Sequence, residues 1–182
     1  MTNTLLSLLL LGFSASTVIN NQVPINQVPS VAPPTQVLTL EDLPPLSASG
    51  LMVYDITSGQ EVFSKNKSTP MPMASLTKLM TAHVINQHYS PEDQMVVPAG
   101  VSELIGNKVR VPAGLQISVR KLLESLLMFS AGDSARTMAV HHSGSEQNFV
   151  LEMNKQAIEM GLKNTSFGNA DGLDHYAQRS TP

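Results

Sequence analysis

Apolar and polar positions follow two different rhythms along this chain. Leu51 to Ile56 is short and mostly apolar, Thr57 to Gln60 is polar with one glycine, and Glu61 to Ser64 resumes the extended pattern. Together they predict a β-hairpin in a well-covered sheet. Leu76, Leu79, Met80, His83 and Val84 then recur at i, i+3, i+4, i+7 and i+8, the stripe of a helix packed on one face and starting at about Ser75. Val119, Leu122, Leu123, Leu126 and Leu127 repeat that spacing behind Ser118, a residue suited to cap a helix N-terminus. Phe149, Met153, Ala157 and Met160 mark a further helix closed by Gly161, and the stretch from Phe167 to Asp174 is dense enough in Gly, Asn and Asp to be a loop. A hairpin followed by a helical layer is an α+β arrangement.

Upstream of the hairpin the pattern breaks down. Leu5 to Phe13 is an apolar run followed by Ser14, Ala15 and Ser16. It is too short to span a bilayer and fits a signal peptide over residues 1–16, although Met1 to Thr4 carry no basic residue. A buried apolar segment is the alternative. The next stretch argues for export, because residues 17–46 are polar, contain Pro24, Pro29, Pro33, Pro34, Pro44 and Pro45, and read as an extended linker. The folded part is expected over 47–182, outside the cytoplasm.

Composition removes several function classes. The net charge is -3, and 42% of residues are hydrophobic. With no basic block there is no electrostatic footprint for nucleic acid. The absence of cysteine excludes disulfides, thiolate metal sites and a cysteine nucleophile.

Ser75-Leu76-Thr77-Lys78 places a hydroxyl and an amine three residues apart, on one face of a helical turn, where the amine can take the hydroxyl's proton. The spacing alone is weak evidence, since a chain of this composition yields about one such match by chance. It occurs three times. Ser64 to Lys67 ends the hairpin and reads as solvated surface, and Ser118 to Lys121 reads as a cap with the lysine facing water. Ser75 differs because it opens an apolar helix, at the positive end of a helix dipole.

The surrounding Met73 to Ala82 resembles the first active-site motif of D-alanyl-D-alanine carboxypeptidases, the low-molecular-mass penicillin-binding proteins of serine peptidase family S11. The resemblance continues in order through Leu126 to Asp133, Phe149 to Lys163 and the Asn169 to Leu173 loop. It implies a penicillin-binding-protein/β-lactamase-like transpeptidase fold. It also implies a serine-type carboxypeptidase acting on peptidoglycan stem peptides ending in D-Ala-D-Ala, with β-lactams as acylating inhibitors and no metal or organic cofactor. By the same resemblance Ser75 is the acylated nucleophile, its N–H one oxyanion donor, Lys78 its base and Ser130 a proton relay. Attachment at the membrane periphery is left open.

Two departures qualify that expectation. The second motif of the family reads Ser-x-Asn, its Asn being thought to touch the lysine and the substrate amide, whereas this chain has Gly132 there, and Asp133 should be misaimed to replace it. No Lys-Thr-Gly or Lys-Ser-Gly occurs, so the sequence reads as the N-terminal part of the family's domain with later sheet strands missing, and therefore as an impaired enzyme whose hairpin exposes an unpaired edge. A non-catalytic remnant that binds peptidoglycan or a partner is the rival reading. A class A β-lactamase is weaker, because Glu159 to Lys163 ends in Lys where that family needs Asn. Asp171, Asp174 and His175 match no metal signature and read as a polar turn, and His83, His88, His141 and His142 are given no role.

Overall fold

The computed structural model describes residues 45–182 apart from 104 and 174–176. The expected signal peptide, nearly all of the linker, and Asp174 and His175 lie outside the described residues. What is described falls within one compact unit, Gln36–Pro182.

The hairpin forms as expected: β1 (Leu51–Asp55) runs antiparallel to β2 (Gln60–Lys65), with an irregularity between Val53 and Tyr54. Its turn is closed by Asp55, whose carboxylate accepts from the Ser58 hydroxyl at 2.6 Å and the Thr57 amide at 2.9 Å. Those donors hold the Asp55 carboxyl below its ordinary value. The covering suggested by the apolar run is not there, and the unpaired edge expected of the hairpin is. Among the described residues no third strand pairs with the hairpin, Met52, Val53 and Tyr54 are exposed, and Phe63 is its one buried apolar side chain.

A 3₁₀ turn, Ala74–Leu76, leads into α1 (Thr77–His88). A second small antiparallel sheet follows, β3 (Gln94–Val96) with β4 (Gln116–Ser118), whose three-residue strands are too short to show a period in the sequence. The helices α2 (Val119–Phe129), α3 (Gly132–Ser143) and α4 (Glu146–Glu159) complete the body. Ser118 caps α2 by accepting from the Lys121 amide at 3.4 Å, and Gly161 leaves α4 with φ +74, a conformation open to glycine. The core is built from Val84 and Ile85 of α1, Leu122 and Leu126 of α2, Met138 of α3, and Phe149 and Met153 of α4.

The stripe expected on α1 is rotated relative to the core. Met80 and Val84 are buried, but Leu76 and Leu79 are 65% and 60% exposed, and the inward face carries Thr77, Lys78 and Thr81 instead. For Lys78 and Thr81 the reason is polar satisfaction, whereas the buried Thr77 hydroxyl has no hydrogen-bond partner among the described residues. Thr81 donates from its hydroxyl to the Ala170 carbonyl at 2.6 Å, and Lys78 donates to the Asp171 carbonyl, so the loop after α4 supplies acceptors that let a polar face go inward. Leu76 and Leu79 line a groove of about 570 Å³ together with Met71, Met160 and Phe167. Likewise Leu127 of α2 and Met160 after α4 lie on the outside.

Candidate active site

Four segments converge on a cleft of about 260 Å³: the turn at Ala74 and Ser75 with Lys78 behind it, residues 105–107, the α2–α3 junction at Ser130 and Gly132, and the loop from Asp171 to Leu173. Ser75 Oγ lies 3.2 Å from Lys78 Nζ, and the Ser130 hydroxyl donates to Ser75 Oγ at 2.8 Å. The three side chains singled out in the sequence are thus brought together, although Ser130 stands 55 residues from Ser75.

The backbone that presents both hydroxyls is unusual. Ala74 has φ +46 and Ser130 has φ +56, left-handed conformations that strain a non-glycine residue by about 1–3 kcal/mol and persist only where the surroundings enforce them. At Ala74 the enforcing element is Gly172. A Cβ on Gly172, itself at φ +82, would lie 2.0 Å from the Ala74 carbonyl oxygen, so the loop backbone rests directly against the peptide before Ser75. That loop is fixed in turn: Asn169 Oδ1 accepts from the Gly172 amide at 2.7 Å, and Glu146 at the start of α4 accepts from the Ala170 amide at 3.2 Å.

Lys78 is only 5% exposed. Burial pushes its amine below the ordinary lysine value of 10.5, while the Asp171 carboxylate acts in the opposite direction. In its neutral form the amine can accept the Ser75 proton across the contact it already makes, and Ser130 can pass a proton onward. A hydroxyl in contact with a desolvated amine and with a second hydroxyl is an arrangement chemically able to support acyl transfer.

Gly132 stands where the resembled motif has an amide side chain. Its amide donates to the Asn107 carbonyl at 2.7 Å, and a Cβ there would lie 3.0 Å from Asp171 Oδ2. The Asp171 carboxylate therefore borders the space an Asn side chain would need. Asp133 faces elsewhere, as expected. It is fully buried and accepts from the amides of Arg110 at 2.7 Å and of Val109 and Val111 at 3.2 Å, which pins the irregular segment after Asn107 to the start of α3.

A family model described as D-alanyl-D-alanine carboxypeptidase matches residues 38–182. The chain belongs to that family. It is 35% identical over 176 residues to a D-alanyl-D-alanine endopeptidase of Pseudomonas aeruginosa, covering 95% of this chain and 54% of that one. To the D-alanyl-D-alanine carboxypeptidase DacF of Bacillus subtilis it is 31% identical, covering 71% of this chain and 36% of the relative. The structure superposes on the D-alanyl-D-alanine carboxypeptidase DacD of Francisella tularensis with a TM-score of 0.73 at 28% identity, over 87% of this chain and 39% of that one. A D-alanyl-D-alanine carboxypeptidase of Mycobacterium tuberculosis gives 0.71 at 29%, over 76% and 53%. The fold is therefore the α+β one of the family, and the chain spans about half the length, or less, of these relatives.

Sequence reasoning missed several members of the cleft. Asp171 was read as part of a polar turn, and Gly106 and Asn107 carried no signal of their own. Gly172 was legible only as part of an Asn-x-x-Gly-Leu-like loop. Each of the four histidines among the described residues has a polar partner: His83 Nε2 pairs with Gln87 at 3.0 Å, His141 Nδ1 accepts from the Val96 amide at 3.3 Å, and His88 and His142 both face Glu152.

Proposed function

We propose that this chain carries the acylation machinery of a serine-type D-alanyl-D-alanine peptidase of the cell wall. Ser75 Oγ attacks the carbonyl between the last two D-alanines of a peptidoglycan stem peptide and gives its proton to neutral Lys78. The tetrahedral intermediate collapses as the peptide C–N bond breaks, and the departing D-alanine amine takes a proton relayed through Ser130. Water then hydrolyses the ester on Ser75. β-Lactams enter by the same attack, and their opened ring stays on the serine. The observation that carries this reading is the 3.2 Å contact of Ser75 Oγ with a desolvated amine, closed on its other side by Ser130 at 2.8 Å.

The deciding experiment is gel labelling of the purified chain with a fluorescent penicillin, alongside D-alanine release from a diacyl-D-Ala-D-Ala peptide. Label on the wild type that vanishes in Ser75→Ala is the expected result, with slow D-alanine release. Label that persists in Ser75→Ala would remove the nucleophile from the proposal.

Gly132 favours a second reading, in which the site holds peptidoglycan without turning it over. The two readings separate in a double variant. Asn at 132 needs the space bordered by Asp171, so Gly132→Asn with Asp171→Ala should acylate faster than Asp171→Ala alone if the missing amide limits the chemistry. An unchanged rate would leave Gly132 with no part in the defect.

The place of action follows from the substrate. We infer an extracytoplasmic location, with residues 1–16 removed and 17–46 acting as a tether to the domain at 47–182. Intact mass of the secreted protein tests this, and a chain found only in the cytosol with Met1 retained would refute it.

A further inference from the structure

At the end of α1 away from Ser75, three helices bring together side chains that the proposed acyl transfer does not use. His88 ends α1, His142 lies in the last turn of α3, and Glu152 is in the middle of α4. The Glu152 carboxylate reaches both histidines, Oε2 lying 2.9 Å from His142 Nε2 and Oε1 3.2 Å from His88 Nε2. One ligand atom from each residue lies within 4.8 Å of the other two. Among the described residues this is the group of His and acidic side chains that meets that condition. We propose that His88, His142 and Glu152 form a binding site for a divalent transition-metal ion of the zinc type.

Distance, chemistry and support all favour an ion over a chance meeting of rings. Ligand bonds of about 2.1 Å in a tetrahedral arrangement set neighbouring donor atoms roughly 3.4 Å apart; Glu152 presents one oxygen to each histidine, at 2.9 and 3.2 Å, and one donor atom from each residue already lies within 4.8 Å of the others, so small side-chain shifts bring the three onto one ion. Two imidazoles and one carboxylate suit zinc, whereas magnesium and calcium prefer all-oxygen sites. The second nitrogen of His142 is also held: Nδ1 lies 3.3 Å from the Tyr89 hydroxyl. With Nδ1–H donating to Tyr89 Oη, the Nε2 lone pair is directed at the ion, the arrangement in which an outer hydrogen bond sets the tautomer of a ligating histidine. The His142 ring is further fixed edge-on to Phe149 with centroids 5.8 Å apart, and it packs on His88 at 4.7 Å. His88 is the exposed member, so water can complete the coordination from its side.

Such an ion would act on the frame and not on the chemistry. The span of α1 from Thr77 to His88 is roughly 16 Å at 1.5 Å per residue, which separates the ion from the nucleophile. What it would do is tie the end of α1, which holds Lys78 at its beginning, to α3, whose first residue Gly132 borders the cleft, and to α4, whose Glu146 holds the Ala170 amide.

The test uses Zn²⁺ alone, measured by calorimetric titration and by thermal unfolding followed by circular dichroism, with Mg²⁺ and Ca²⁺ as controls. One Zn²⁺ per chain should bind at the site, raising Tm by about 5–10 °C at a concentration 100-fold above Kd, and a chelator should reverse the rise. Glu152→Gln, which keeps the shape of the side chain, and His88→Asn, at an exposed position, should each weaken this binding by more than 100-fold. Tyr89→Phe, which loses only the outer hydrogen bond, should weaken it about 10- to 100-fold. His83→Asn and His141→Asn should leave it intact. No binding by the wild type, or binding that survives both Glu152→Gln and His88→Asn, would overturn the proposal and leave the cluster as an ion-paired histidine patch.

Discussion

The starts of α1 and α2 carry the same Ser-x-x-Lys spacing and put it to opposite uses. At α2, Ser118 turns its oxygen to the backbone amide of Lys121 at 3.4 Å, and the Lys121 side chain stands in solvent. At α1, Ser75 sits in a 3₁₀ turn before the helix proper, so its oxygen is left to face Lys78 Nζ and Ser130. The hairpin copy shows a third outcome, since Ser64 and Lys67 both bind the Glu61 carboxylate, at 2.5 and 2.6 Å, on the surface. Spacing delivers a hydroxyl and an amine to one side of a turn. Burial of the amine, and a backbone that withholds the serine from capping, give that neighbourhood the solvation and geometry that the proposed nucleophile and base require.

The comparison can be broken most severely at the lysines. Lys78→Ala should slow acylation by fluorescent penicillin by roughly 10²- to 10⁴-fold, the usual contribution of a positioned base, while Lys121→Ala should leave the rate unchanged. The wild-type rate should also climb with pH as Lys78 loses its proton, with a midpoint below the 10.5 of an ordinary lysine. Stability follows the same group. Between its lowered folded value and 10.5 the unfolded chain binds more protons than the folded one, so the Lys78 contribution is unfavourable at low pH and fades as pH rises toward 10.5. In Lys78→Met that rise should flatten, as read from urea unfolding across the alkaline range. An acylation profile indifferent to pH would argue that Lys78 is not the base.

A smaller break goes through the backbone. Gly172→Ala introduces a Cβ against the Ala74 carbonyl, with φ unfavourable to any side chain, and should destabilise the chain by roughly 2–4 kcal/mol while lowering acylation. A variant with wild-type Tm and labelling would show that the loop does not hold the Ser75 turn.

The smallest effect sharpens the contrast from the other side. Ser118→Ala should cost about 1 kcal/mol, the worth of an N-cap, and lower Tm by roughly 2–4 °C without changing labelling by penicillin. Loss of acylation in that variant would mean that the two copies are not functionally distinct.

Much of this was available from residue order. The hairpin was legible because an apolar run, a turn containing glycine and a second extended run are local signals, and α2 and α4 because cap and stripe coincide at Ser118 and at Phe149 to Gly161. Ser75, Lys78 and Ser130 were legible through motifs whose spacing is short or whose neighbours are distinctive. The facing of α1 was not, since Leu76 and Leu79 look like core positions until a distant loop supplies carbonyl acceptors for Thr81 and Lys78. The cluster of His88, His142 and Glu152 was not either, because its members come from three helices whose relative rotation no single segment encodes.

What the sequence by itself determined is therefore local: where helices and turns begin, which hydroxyls and amines exist, and which family pattern they follow. Only the tertiary structure decided which serine caps a helix and which faces a buried amine, that Asp171 borders the space left by Gly132, and that the amine of Lys78 is withdrawn from water. The physical reason is that proton affinity and nucleophilicity depend on solvation and on donors and acceptors brought in from far along the chain, and those are properties of packing.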